Sequence, residues 1–393
     1  MSFATTAVGS VCRLVNGKAF KPSDWSESGE PIIRIQNLNN NSKPFNRWAG
    51  PLEKQVLVAP GDVLFAWSGT PGTSFGGHIW AGPSGVLNQH IFRVDLDETK
   101  ITREWFVAAI NFKLNVLIGQ AHGGVGLQHV TRPMIDRLEI PLPPLDEQRR
   151  IAAILDQADA LRRKRREAIT KSETLLRALF EATFGSPHEA IPNWPTMPFG
   201  ELLSDIESGW SPTCLDRPAE SDEWGVLKLG AVTYGRFDEA AQKALPKGVE
   251  PRPGIEVRKG DLLFTRKNTY ELVAACALVR DTRPRLLLPD LIFRLCLADP
   301  TRSHPEYIHA LLSHPTKRAE IQSLASGAAG SMPNISKARL RTVPIKLPPP
   351  ELQARFAEGV KKIEQVRSQS VDHLAQLDTL FASLQHRAFR GEL

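Results

Sequence analysis

The sequence carries one plan twice, and this internal repeat limits the possible folds more than any other feature. Ile140-Pro141-Leu142-Pro143-Pro144 recurs as Ile345-Lys346-Leu347-Pro348-Pro349, at an offset of 205 residues. The register then holds without a gap. His129-Val130-Thr131 faces Asn334-Ile335-Ser336, and Leu175, Leu179 and Phe184 face Leu380, Leu384 and Phe389. Further upstream the offset drifts. Gly61-Asp62-Val63-Leu64-Phe65 matches Gly260-Asp261-Leu262-Leu263-Phe264 at 199, Ile91-Phe92-Arg93 matches Ile292-Phe293-Arg294 at 201, and Ile33-Arg34-Ile35 matches Leu227-Lys228-Leu229 at 194. Strand-like pieces align while their connections vary, as expected of a shared scaffold with divergent loops.

Each copy has two kinds of segment. Residues 1–143 and 187–348 hold short β-branched or aromatic runs between Gly, Pro and Asn clusters, which predicts two mixed, strand-rich globular domains. Short helices are expected at Glu104–Ile110 and Glu306–Leu312, where the apolar spacing suits one buried face. Within the helical segments 144–186 and 349–393, Asp146 to Phe184 and Glu351 to Phe389 are strong helix formers with no Pro and no interior Gly except Gly359, and each predicts one long helix. In the second, Phe356, Val360, Ile363, Arg367, Ser370, Leu374, Leu377, Phe381, Leu384 and Ala388 step by four and three, the seam of a coiled coil. Ile151, Leu155, Ala158, Arg162, Arg165, Ile169, Ser172, Leu176, Leu179 and Thr183 repeat it in the first, polar interruption included. The fold class expected is α+β: two strand-rich domains separated by two long antiparallel helices in a coiled coil, with an internal pseudo-twofold repeat. The helices then form a spacer of roughly 55 to 60 Å, at about 1.5 Å per residue. Two separate surface helices are the alternative.

The sequence contains none of the common catalytic signatures in a workable context. Gly72-Thr73-Ser74-Phe75-Gly76 fits a nucleophile elbow, but Gly77, Gly82 and Pro83 follow where a helix is required. There is no phosphate-binding Gly-x-x-x-x-Gly-Lys-Ser/Thr loop, dinucleotide fingerprint, zinc helix, or Asn/Asp-Pro-Pro-aromatic tetrapeptide for a flipped base. His78, His90 and His129 stand without a second ligand at metal spacing, and Cys12, Cys214, Cys276 and Cys296 form no Cys-x-x-Cys pair. No metal site and no bound cofactor are expected. No run of apolar residues is long enough to span a bilayer and the start does not read as a leader, so a cytoplasmic protein without membrane contact is expected. A net charge of +6 permits a polyanionic partner without demanding one.

Over its whole length the chain resembles the specificity subunit of type I restriction-modification systems. Ile140-Pro141-Leu142-Pro143-Pro144-Leu145-Asp146-Glu147-Gln148 is similar to that family's central repeat, and the ending from Leu380 through Arg390-Gly391-Glu392-Leu393 is similar to its typical terminus. Gly61 to Thr70 and Leu87-Asn88-Gln89-His90-Ile91-Phe92-Arg93 resemble recurrent segments of its target-recognition domains. The second domain departs, with Arg266-Lys267-Asn268-Thr269 after its Gly-Asp strand and Pro289-Asp290-Leu291 in place of Asn88-Gln89-His90. The resemblance implies a subunit without an active site, binding double-stranded DNA and docking two methylation subunits that carry S-adenosylmethionine. With motor-nuclease restriction subunits added, such a complex restricts unmodified DNA using ATP with magnesium.

Two non-identical readers would take two different half-sites separated by a fixed gap. Base discrimination needs guanidinium, amide or hydroxyl groups in the major groove, while other cations hold phosphates. In the second domain Arg266, Lys267, Asn268 and Thr269 are the candidate readers, with Arg252, Arg258 and Lys259 as phosphate contacts. In the first domain the candidates are Lys18, Lys21, Arg47, Ser68 and Thr70, placed on presumed loops. The run Arg162, Arg163, Lys164, Arg165 and Arg166 admits a solvated face, phosphate contact or docking to an acidic partner. A stand-alone DNA-binding regulator without methylation partners, and a coiled-coil scaffold, are the competing readings.

Overall fold

A computed structural model describes residues 3–40, 42–69, 75–120, 128–187, 194–327 and 332–393. By its internal contacts the chain divides into two compact units, Met1–Arg166 with Asp372–Leu393, and Glu167–Val371. The divisions fall inside both long helices, which run without interruption over Leu145–Phe184 and Pro350–Ala388. Among the described residues no helix is long and apolar enough to cross a membrane.

The first unit is built on a four-stranded antiparallel sheet in the order Cys12–Asn16, Ile91–Leu96, Val63–Ala66, Gly76–Ile79. The helix Arg103–Phe112 buries Trp105, Phe106, Ala109 and Ile110, as the apolar spacing predicts. A second sheet pairs Ile32 with Val86 and Ile33 with Leu87 in parallel. The second unit repeats this plan. Its sheet runs Leu203–Ser208, Ile292–Leu297, Leu262–Thr265, Cys276–Leu278, and the parallel pair is Gly225 with Leu286 and Val226 with Leu287. The helix Pro305–Ser313 buries Tyr307, Ile308, Leu311 and Leu312.

The shared Gly-Asp step has a structural cause. Gly61 and Gly260 hold φ of 92° and 94°, a left-handed turn that favours glycine. The following carboxylates close the same turn, Asp62 Oδ2 accepting from the Ala59 amide and Asp261 Oδ2 from the Arg258 amide, both at 2.8 Å. Burial raises the Asp261 carboxyl above the usual range.

The entrance to each long helix is tied down identically. Gln148, fully buried, donates to the carbonyls of Lys100 and Pro143 and accepts from the Thr102 amide, at 2.8–2.9 Å. Gln353 donates to Arg302 and Pro348 and accepts from His304, at 2.7–3.1 Å. These carboxamides satisfy backbone groups of the proline-rich turn and of the segment that leads into the short helix Arg103–Phe112 or Pro305–Ser313.

Within the first unit the helices pack antiparallel: Arg150 bonds the Leu393 carbonyl and Arg162 bonds Asp378. Ile151 and Leu155 share a core with Phe381, Leu384, Ala388 and Phe389, and Phe389 stacks on Phe112 at 4.5 Å. Within the second unit Phe180 and Phe184 meet Phe356 at 5.9 and 5.0 Å. A Cβ at Gly359 would lie 2.8 Å from Leu179, so the one interior glycine marks close helix approach. The predicted seam is buried or half-buried apart from Arg165, which is exposed. Ser172 and Ser370 are buried in it because their hydroxyls donate to Ala168 and Val366, one turn back on their own helices.

Candidate nucleic-acid interface

In the second unit the strand Leu262–Thr265 ends in the predicted reading loop. Arg266 is half-buried, its guanidinium 5.3 Å from the Phe293 ring centre. Its amide donates to Leu291 and its carbonyl accepts from Ile335, so the backbone is fixed on both sides. Lys267 pairs with Asn334, and Thr269 is exposed. Asn268 requires a correction: it was expected to face outward, but it is 7% exposed and its Nδ2 donates to Thr233 Oγ1 at 3.2 Å. In this arrangement it joins two segments of the loop face. Arg252 lies 4.2 Å over Trp210, while Arg258 and Lys259 are exposed on the turn before the strand.

The first unit places its candidates less uniformly. Lys18 pairs with Glu53 at 3.2 Å and sits 4.9 Å over Trp48. Hydrogen bonds from Gln55 and Lys18 hold the Glu53 carboxyl below its ordinary value. Lys21 is exposed beside a turn closed by Asp24, and Arg47 is exposed while donating to the Gly29 carbonyl at 2.8 Å. Ser68 again differs from expectation, standing in a short strand with 4% exposure rather than on an open loop. Thr70 lies outside the described residues, as do Gly72, Thr73 and Ser74 of the elbow-like sequence; the strand Gly76–Ile79 follows where an elbow needs a helix.

The basic run divides by helical geometry. Arg162 bonds Asp378 and Asp159, at 2.6 and 2.8 Å, and lies 4.2 Å over Phe381. Arg163 pairs with Asp159, and Arg166 reaches Asp378 at 3.3 Å. Lys164 and Arg165 are exposed and form no ion pair among the described residues.

The segments that follow the strands Val63–Ala66 and Leu262–Thr265 have one backbone plan and different side chains. Trp67 donates its amide to His90 and accepts from Val130, as Arg266 does with Leu291 and Ile335. Trp67 packs 5.9 Å from Phe92 where Arg266 packs on Phe293. Ser68 pairs with His129 where Lys267 pairs with Asn334.

Residues 2–171 match the family described as Type I restriction modification DNA specificity domain. Over 98% of its length the chain is 26% identical to the EcoKI specificity subunit of Escherichia coli strain K12, spanning 88% of that protein. The chain is similar to type I restriction-modification specificity subunits along its length, and residues 2–171 carry that family's DNA specificity domain. Identity rises to 34% with the EcoEI specificity subunit of Escherichia coli, over 47% of this chain and 31% of that relative, so this stronger likeness spans less than a third of it. The fold of the type I restriction-modification S subunit from M. genitalium covers 98% of this chain and 96% of that one, with a TM-score of 0.61 at 15% identity. A chain from a structural account of complex assembly and conformational transition in the type I R-M system gives 0.53 at 19% identity, over 100% and 98%.

The same loop face carries further groups that no sequence pattern marked. Tyr234 follows Thr233 and is 80% exposed, Tyr270 follows Thr269 and is 57% exposed, and Lys337 lies 5.8 Å over Phe293. Single aromatics between polar neighbours carry no periodic signal. Asn334 had one, since it faces His129 in the repeat.

Proposed function

We propose that this chain is a specificity subunit that recognises a bipartite, asymmetric double-stranded DNA site with a fixed spacer, one half-site per domain. It docks two methylation subunits in the cytoplasm, and motor-nuclease restriction subunits where the complex includes them. In this reading the chain is the non-catalytic recognition component; S-adenosylmethionine, and ATP with magnesium, belong to the partner subunits. The observation that carries the proposal is the matched pair of reading strands, in which Trp67 and Ser68 occupy the backbone positions of Arg266 and Lys267. Equal scaffolds present unequal side chains, so two half-sites of similar placement and different sequence are expected. Exposed Arg252, Arg258, Lys259, Lys21 and Arg47 supply phosphate contacts.

Co-expression of the chain with its methylation subunits, followed by mapping of methylated adenines across the genome, tests this. A motif of two unlike halves separated by a constant gap is expected. A single contiguous motif, or methylation independent of the chain, would refute it.

A further inference from the structure

Resting on that reading of the second domain, we propose that Asn334 is a base-reading residue that acts beside Arg266. Three segments meet at this loop face. Asn268 ties them together, its side chain bonding Thr233 and its amide donating to the Pro333 carbonyl at 3.4 Å. Ile335 donates to Arg266 at 2.8 Å, and Asn334 lies directly against Lys267.

The backbone of Asn334 is fully engaged, exchanging two 3.0 Å hydrogen bonds with Ser326. Its side chain is not: Oδ1 is enclosed and has no hydrogen-bond partner. Arg266 shows the complementary defect, with Nε enclosed and unpaired. Native structures rarely leave such atoms unmatched, because an enclosed unpaired group lowers stability.

The groups of these two side chains that are not enclosed, the Arg266 amino nitrogens and Asn334 Nδ2, are the ones a base edge can meet. A guanidinium pairs with two acceptors, as on guanine, and a carboxamide pairs with a donor beside an acceptor, as on adenine. A neutral carboxamide has little attraction for a phosphate compared with the cations around it, so the part left to Asn334 is sequence discrimination. Its position on a backbone bridged to Ser326 and Lys267 gives it the rigidity that base reading needs.

The test uses the full chain, co-expressed with methylation subunits, as wild type, Asn334→Ala, Asn334→Asp and Arg258→Ala. In Asn334→Ala the first half-site and the gap are retained, and one position of the second half-site loses discrimination by about tenfold or more. Asn334→Asp, of nearly the same shape but without the donor, changes the base preferred at that same position. Arg258→Ala lowers methylation at all sites without altering the motif. An unchanged second half-site in both Asn334 variants overturns the proposal, as does loss of the entire motif in both. If the wild-type chain itself directs a single contiguous motif, the two-half-site function fails instead, and the base-reading role with it.

Discussion

Arg162 holds Asp378 at 2.6 Å and lies 4.2 Å above the Phe381 ring, joining charge pairing and apolar packing in one contact between the long helices. The guanidinium is 18% exposed and Asp378 is 44% exposed, so solvent weakens the ion pair while the packing persists. Arg162→Ala is expected to destabilise the protein by about 1–2 kcal/mol and Asp378→Ala by less than about 1 kcal/mol. Urea unfolding of both variants, at low and high salt, measures the difference; equal losses would contradict it.

The paired glutamines predict a larger effect. Gln148→Ala leaves the Thr102 amide and the Lys100 and Pro143 carbonyls without that partner, and Gln353→Ala does the same to His304, Arg302 and Pro348. Each substitution should cost about 2–4 kcal/mol, the penalty for leaving enclosed backbone groups unpaired. Denaturant titration reads this directly, and a loss near zero at either position would remove the structural role assigned here.

Two glycines should tolerate no side chain. A Cβ at Gly17 would stand 2.1 Å from the Asn88 carbonyl oxygen, and one at Gly209 would stand 1.9 Å from that of Leu288. Gly17→Ala and Gly209→Ala are each expected to destabilise by about 2 kcal/mol or more, because backbone must move. Gly254→Ala, with nothing within 4 Å, should change thermal stability by less than about 0.5 kcal/mol.

His309 gives the second unit a pH dependence. Burial, and then the Arg280 charge, hold its pKa below the ordinary value, and its ring contacts the Gly235 carbonyl at 3.3 Å. On acidification the unfolded chain protonates first, so it binds more protons than the folded chain. The stability contribution is present above the unfolded value of about 6.5 and is lost as pH falls below it. The denaturation midpoint should therefore drop between about pH 7.5 and pH 5.5, and His309→Gln should flatten that slope. An unchanged slope in the variant would assign the dependence elsewhere.

The sequence by itself determined the repeat, the long helices and most of their seam, because those signals are local or periodic. Ile151 and Leu155 in one helix and Phe356 and Val360 in the other are buried where four-and-three spacing puts them. The helical faces at Trp105 and Tyr307 were legible for the same reason. Tertiary structure decided what periodicity cannot encode. It turned Asn268 inward to Thr233, buried Ser68, left Arg165 exposed on the seam and divided the basic run by which arginines reach Asp159 and Asp378. Those outcomes depend on partners far away in the chain: Thr233 is 35 residues from Asn268 and Asp378 is 216 from Arg162. Spacing along a strand or helix specifies a face, but only the folded backbone specifies which distant group meets it.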